Sequence, residues 1–342
     1  MAGWAFYQGE GRALFLVVGV ALFPGMARGA ISGVFLGTSQ VGRYNFAIYG
    51  QAYASFAALL VWVVLLGHRT TEGAVVAFIA GDYLSLAGLV VLQRSWWGWL
   101  VHHPPDLGLM RGIILFGLVT GLSGAVGILG GHADRLLVPA LDSQEGLGIY
   151  ASAVALVELI GLVAGAVSVA SYARVGALSR RAAADLTTRS VRHALPAVAG
   201  TALVVFVFAP LVIRVLYGSR YVDAASSLRI LCFAAVLAAP SGLLGNYFVV
   251  QMGRPSITVM LAVVGLIVKA GLCVLLIPPM GYVGAAWANV ASATVGALIS
   301  TVLFLRVSGA PFRDMWRVEW EDILSYVRLV RRVLRGELFG RA

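Results

Sequence analysis

The chain has 342 residues, of which 60% are hydrophobic and only 12% are charged. A soluble globular domain carries roughly 25% charged residues, so this composition excludes a soluble protein with a fully water-facing surface. The formal net charge of +10 does not indicate a nucleic-acid partner, because the basic residues of a membrane protein collect in its cytoplasmic loops.

The apolar residues predict an all-α integral membrane protein. Stretches of about 20 residues with few or no charges recur along the chain, and each can cross a bilayer core of about 30 Å as a helix. Helices are expected because a backbone in lipid must satisfy its own hydrogen bonds and because the runs are continuous rather than alternating. The nine predicted spans are residues 13–33, 44–66, 74–92, 112–130, 147–172, 195–216, 230–250, 257–277 and 283–305.

The arginines predict the orientation of the spans. Basic segments follow every second span: Arg43, residues 94–111, the 174–193 loop, Arg254 and the C-terminal tail. By the positive-inside rule these segments are cytoplasmic. We therefore predict a multi-pass protein of the bacterial cytoplasmic membrane with a cytoplasmic C-terminus. The 217–229 loop, predicted to be outside, is a mild exception because it carries Arg220.

This orientation places the N-terminus outside the cell. Residues 1–10 contain no basic segment of the kind that begins a signal peptide. We therefore expect an odd number of further spans to precede the chain, either because its start is placed too late or because its gene is truncated.

The C-terminal tail, residues 307–342, is predicted to be a basic amphipathic helix. Its apolar residues recur at helical spacing, and four arginines lie largely between them: Arg328, Arg331, Arg332 and Arg335. This pattern favours a helix on the cytoplasmic membrane surface, held by its apolar face and by anionic lipids. The alternative is an amphipathic helix packed on the bundle.

Ionisable residues inside predicted spans are the candidate functional residues. Lys269 and Glu158 lie deep in their spans, Asp82 lies in the third span, and Arg28 lies within or at the end of the first. Each costs about 2.5–3.5 kcal/mol on insertion scales, so such residues usually face an interior cavity. Glu158 or Asp82 could carry a coupling H⁺ or Na⁺. The alternative is that these charges pair with one another or reach the membrane surface.

Asp134 and Arg135 follow the fourth predicted span. We interpret them as a local pair at the helix end or as part of an outer gate. Together with Arg28 and Lys269, Arg135 would make the cavity partly cationic, which suits a diphosphate because guanidinium and ammonium groups donate charged hydrogen bonds.

The chain contains no familiar catalytic or metal-binding motif. A phosphate-binding Gly-rich loop with Lys-Ser/Thr, HExxH and GxSxG are all absent. Cys232 and Cys273 lie in apolar runs without metal-ligand spacing. We therefore expect no metal, no other cofactor and no enzymatic activity.

Three stretches resemble a known family. The first has an Asp-led helix end and Gly-x-Tyr, the second has Leu-Tyr-Gly, a second Tyr and Leu-Arg, and the third has Gly-Arg, an Ile-Pro turn and Gly-x-x-Gly-Ala-Ala. They are DRLLVPALDSQEGLGIYASAVAL (134–156), LYGSRYVDAASSLRIL (216–231) and GRPSITVMLAVVGLIVKAGLCVLLIPPMGYVGAAWANVAS (253–292). Taken in order, they are similar to the polysaccharide-transport (Wzx-type) flippases of the multidrug/oligosaccharidyl-lipid/polysaccharide (MOP) exporter superfamily.

The resemblance implies a fold of two six-helix lobes around a central cavity, related to that of the multidrug and toxic-compound extrusion (MATE) transporters. Residues 110–306 would form a complete C-terminal lobe, and residues 1–109 would form half of the N-terminal lobe without its first three helices. The implied function is to flip an undecaprenyl-diphosphate-linked oligosaccharide by alternating access, for cell-surface polysaccharide synthesis. Implied partners are membrane lipids and the polysaccharide polymerase and glycosyltransferases of the same pathway.

Two departures limit what the resemblance implies. Lys269 lies where the family usually has small or amide side chains, so its role cannot be transferred. A proline that the family often has at the inner end of the fifth span is absent near Tyr172.

Other functions remain open from the sequence. One is a different MOP exporter, either a peptidoglycan-precursor flippase or a drug/cation antiporter; a cationic cavity argues mildly against cationic drugs. Another is a truncated membrane protein that transports nothing. A membrane enzyme that polymerises or ligates glycans is disfavoured, because the predicted outer loops are too short to hold catalytic residues.

Overall fold

The computed structural model describes residues 11–67, 71–93 and 106–311, together with residues 313 and 315. Within these residues the secondary structure is helical and contains no strand. The chain divides into two compact units, Met1–Gly108 and Leu109–Ala342. The predicted all-α fold class is confirmed.

Unit 1 contains three described helices. They are α1 (Gly11–Gly37), α2 (Val41–Leu60, continued by a π-helical turn over Val61–Leu65) and α3 (Thr71–Leu92). Helices α2 and α3 pack closely at Gly81, where an added Cβ would lie 2.8 Å from the carbonyl oxygen of Ala54. The hydroxyl of Ser55 also donates to the carbonyl oxygen of Phe78 at 3.2 Å. Close contact of backbones at small residues is how helices associate where both are surrounded by lipid.

Unit 2 contains seven described helices. They are α4 (Leu107–Leu141), α5 (Gln144–Ala177), α6 (Arg180–Val207), α7 (Ala209–Tyr217), α8 (Ala224–Asn246, continued by a π-helical turn over Tyr247–Gln251), α9 (Pro255–Met280) and α10 (Tyr282–Ser308). Across the described parts of both units, eight helices are long and apolar enough to cross a membrane. Helix α1 covers the first predicted span.

Two helices of unit 2 begin where the local sequence favours a helix start. Ser143 precedes α5 and its hydroxyl accepts a hydrogen bond from the amide of Gly146 at 2.9 Å, a standard N-cap. Helix α9 begins at Pro255, whose missing N–H would have no helical partner there.

The Gly-x-x-Gly motif has a physical role in the turn between α9 and α10. Gly281 has a φ of +60°, a conformation that other residues rarely adopt. An added Cβ on Gly284 would lie 2.9 Å from the backbone nitrogen of Ile277. The motif therefore forms a tight hairpin, and Ala285 and Ala286 behind it are fully buried.

Three predicted boundaries differ from the structure. Helix α4 continues to Leu141 rather than ending near residue 130, and the predicted 174–193 loop is mostly helix. The arginines of this segment obscure its helical pattern in the sequence. The buried face of the helix is a stripe formed by Ala183, Thr187 and Val191. The predicted span 195–216 is interrupted at Phe208, between α6 and α7.

One of the two buried clusters in the described part of unit 2 is built largely from small side chains. Its larger members include Tyr150, Leu228 and Ile277, which pack among many buried alanines. Many large apolar side chains face outward, for example Ile267 and Leu275 on α9, which are 65% and 68% exposed. Such a surface suits lipid rather than water.

Candidate functional site

A cavity of about 610 Å³ lies within unit 2. It is bordered by α4, α5, α8, α9 and α10, and its walls are mainly glycine and alanine, which leave room because they carry little or no side chain. Its polar lining residues are Asp134, Glu158, Ser168, Lys269, Asn289 and Ser292.

Lys269 supplies the cavity with a buried cation. Its residue is only 9% exposed, yet it makes no hydrogen bond or ion pair with any residue that the structure describes. A buried charge without a partner is costly, so it is normally kept for contact with a ligand, an ion or water.

Asp134 is the centre of a buried hydrogen-bond cluster. The hydroxyl of Tyr150 donates to its Oδ2 at 2.6 Å, and Nδ2 of Asn289 lies 2.7 Å from the same Oδ2 and 2.7 Å from the Tyr150 hydroxyl. The backbone amide of Arg135 also contacts Oδ1, at 3.0 Å. These bonds stabilise the carboxylate, which is 1% exposed, and they join α4, α5 and α10 at one point.

Arg135 pairs with Glu158 rather than with the side chain of Asp134. Its Nη2 donates to Oε1 of Glu158 across the α4–α5 pair. Because α4 continues to Leu141, Asp134 and Arg135 lie inside a helix and not at its end. The Glu158 side chain remains 59% exposed, so it can face the cavity while it holds the arginine.

Arg28 and Asp82 form an ion pair within unit 1. Nη1 of Arg28 lies 3.0 Å from Oδ1 of Asp82, and their side chains are 7% and 9% exposed. The pair joins α1 to α3. The sequence left open whether these charges face a cavity or pair with one another, and the structure shows that they pair.

The four tail arginines, Arg328, Arg331, Arg332 and Arg335, lie outside the described residues. The described residues include no group of three or more His, Cys, Asp or Glu side chains that could hold a metal ion. Cys232 and Cys273 are buried free thiols.

Sequence reasoning missed the parts that Tyr150 and Asn289 play in the cluster. Both lie in the stretches that carry the family resemblance, and Asn289 is a polar residue within an apolar run. An amide inside a membrane span usually bonds to a polar partner on another helix. The partner could not be named from the sequence, because residues 134 and 289 are 155 positions apart.

Neither a protein-family model nor a curated protein sequence matches the chain. The fold is nevertheless similar to solved structures of MATE transporters of the MOP superfamily.

One similar structure is described as a crystal structure of MATE in complex with MaL6; it has a TM-score of 0.67, 15% identity, and coverage of 86% of this chain and 70% of that one. A second is an outward-facing multidrug resistance MATE family transporter of the MOP superfamily, with a TM-score of 0.60, 14% identity, and coverage of 86% and 76%. A third is a MOP superfamily transporter from Pyrococcus furiosus Vc1, with a TM-score of 0.60, 16% identity, and coverage of 76% and 61%. The chain therefore has a MATE-like fold.

Proposed function

We propose that the chain belongs to a transporter that flips an undecaprenyl-diphosphate-linked oligosaccharide across the cytoplasmic membrane by alternating access. The observation that carries this proposal is the buried Lys269 at the wall of the unit 2 cavity, which has no ion-pair partner among the described residues. The MATE-like fold supports transport, and the resemblance of the three sequence stretches supports the choice of cargo.

Lys269 suits a phosphate-bearing cargo. Of the three cations proposed for a diphosphate, Arg28 and Arg135 are held by carboxylates. Lys269 alone keeps all three ammonium donors free of the described residues. An ammonium group acts on phosphate as a point charge, and its attraction is stronger near low-dielectric protein walls than in bulk water.

The cavity suits the polar part of such a cargo. Its volume of about 610 Å³ lies in the range of about 300–1,000 Å³ that is usual for ligand sites. Sugar hydroxyls could bond to Ser168, Asn289 and Ser292, which line the same space. The polyprenyl tail would remain in the surrounding lipid.

A second candidate is export of a different compound, such as a drug, by the same fold. One structural neighbour is described as a multidrug resistance transporter, and Asp134 and Glu158 give the cavity two carboxylates that would attract a cation. Against this, Lys269 would repel a cationic drug. The structure of the Pyrococcus furiosus protein is described with a reverse polarity of the binding pocket that suggests a different function.

The test is complementation of a strain that lacks its own polysaccharide flippase. The gene is expressed from its own upstream region as wild type, Lys269→Ala, Lys269→Arg and Arg306→Ala. Arg306 is an exposed cation outside the cavity lining and serves as the matched control. We expect wild type and the control to restore surface glycan. Lys269→Ala should insert normally but accumulate lipid-linked repeat units on the cytoplasmic side, while Lys269→Arg retains part of the activity.

Normal surface glycan in Lys269→Ala would contradict the role of Lys269. Failure of the wild type, with membrane insertion verified, would contradict the glycan cargo. Drug resistance gained by the same cells would then favour the second candidate.

A further inference from the structure

A second, smaller cavity lies between α6 and α8, away from the one proposed for cargo. It measures about 180 Å³ and its lining is almost entirely apolar. We call it the α6–α8 cleft, and its lining residues are Ala199, Ala202, Leu203, Phe206, Cys232, Phe233 and Val236. No residue is shared with the larger cavity.

The shape and position of the cleft suit a hydrocarbon chain. Both of its walls belong to helices that are long and apolar enough to cross a membrane, so we expect lipid rather than water around the cleft. Its volume is below the range of about 300–1,000 Å³ typical of pockets for drug-sized ligands, so a slender hydrocarbon chain suits it better than a drug-sized molecule. Leu203 and Phe233 are 62% and 55% exposed, so the cleft opens to the outside of the unit.

A basic side chain stands at the edge of the cleft. Arg229 precedes Cys232 and Phe233 by three and four residues on α8, which places all three on one face of the helix. Its guanidinium carbon lies 5.7 Å from the centre of the Phe206 ring, and its Nε donates to the Phe206 carbonyl oxygen at 3.3 Å. That carbonyl belongs to the last turn of α6, where helix carbonyls lack helical partners.

The cap on α6 uses only part of Arg229. Guanidinium has five N–H donors, and one hydrogen bond from it is seen within the described residues. No described carboxylate forms an ion pair with it. Arg229 is exposed beside a lipid-facing cleft and therefore keeps donors for an anion. It lies about 7.5 Å along α8 from the start of that helix, which is near the expected level of lipid headgroups.

We propose that the α6–α8 cleft is a binding site for an anionic phospholipid, with the phosphate on Arg229. The Phe206 and Phe233 rings contact each other edge to face, with their centres 5.7 Å apart, and an acyl chain would pack along this pair and over Ala199 and Ala202. The proposal does not depend on the cargo of the larger cavity. It also gives a role to Arg229, the last residue of the 217–229 segment, which the predicted orientation places outside against the positive-inside rule. Under that orientation the lipid belongs to the outer leaflet.

The experiment uses the full chain in vesicles of phosphatidylcholine and phosphatidylglycerol in equal amounts. The phosphatidylglycerol carries a photoactivatable diazirine in one acyl chain, and the crosslinked peptides are mapped by mass spectrometry. Three variants are compared with wild type: Arg229→Gln, Ala199→Leu, and Arg220→Gln as control. Arg220 is a matched arginine whose side chain is 83% exposed and whose contact is with Glu145. Thermal unfolding checks that each variant is folded.

We expect crosslinks on α6 between Ala199 and Phe206 and on α8 between Cys232 and Val236. Arg229→Gln should weaken the labelling about fivefold, the effect of one basic residue near a lipid surface. Ala199→Leu should weaken it about fourfold for each methylene group that it expels, without touching Arg229. Arg220→Gln should label as wild type does, and soluble glycerol phosphate in excess should not compete.

Labelling that is unchanged in both Arg229→Gln and Ala199→Leu would overturn the proposal. So would labelling that falls equally in Arg220→Gln, because that result indicates general attraction to a charged surface. Competition by glycerol phosphate would show a phosphate site that takes no acyl chain, and would also overturn it.

Discussion

Lys269→Met is the substitution that best separates stability from function in this protein. Lys269 is 9% exposed and has no hydrogen-bond or ion-pair partner among the described residues. A lysine at the centre of a span costs about 2.5–3.5 kcal/mol on insertion scales. Since Lys269 lines a cavity that can admit water, part of that cost is already recovered, and we expect Met to raise the free energy of unfolding by about 1–3 kcal/mol.

The assay is equilibrium unfolding in mixed micelles, measured beside translocation of a labelled lipid-linked oligosaccharide in proteoliposomes. The expected result is a more stable protein with lost translocation, because methionine fills the space without the charge. A loss of about 1 kcal/mol or more would refute the reasoning, since breaking a structural ion pair costs stability. Lys269→Arg, which keeps the charge, should leave stability near that of wild type and retain part of the translocation.

Three further predictions concern the rest of the polar framework. Asp82→Asn should destabilise unit 1 by about 3–5 kcal/mol, because it leaves Arg28 buried without a counter-charge. Hydrogen exchange in α1 and α3 should then rise, and adding Arg28→Met should reverse most of the effect. Tyr150→Phe should lower the free energy of unfolding by about 1.5–3 kcal/mol, because it removes a hydrogen bond to a charged group. Simple additivity in a double-mutant cycle with Asp134→Asn would contradict the hydrogen-bond cluster. Gly284→Val should sharply lower the thermal unfolding temperature, because an added Cβ lies 2.9 Å from the backbone of α9; normal unfolding would show that the hairpin can open at little cost.

The helices could be predicted because each span is encoded locally. A continuous apolar run of about 20 residues has few alternatives in lipid, and most of the predicted spans fall within helices of the structure. The prediction failed where a helix leaves the apolar pattern. Helix α6 begins at Arg180 in a stretch rich in arginine, and only its buried alanine and threonine stripe shows that this segment packs on the bundle.

The candidate site was predicted as a set of charges but not as an arrangement. Each ionisable residue could be identified by its cost in an apolar run. Which charge meets which could not be read from the sequence, because Arg28 and Asp82 are 54 positions apart and Arg135 and Glu158 are 23 apart. Their roles in transport stay predictions.

The amino-acid sequence was enough to define a helical membrane protein with a few energetically unfavourable charges inside its spans, because hydrophobicity and backbone hydrogen bonding act over one helix at a time. Tertiary structure alone decided that Asp134 is held by Tyr150 and Asn289, that Arg135 turns to Glu158, and that Lys269 has no partner among the described residues. These outcomes depend on how α4, α5, α9 and α10 pack, and a pairing energy between charges exists only once packing has set the distance between them.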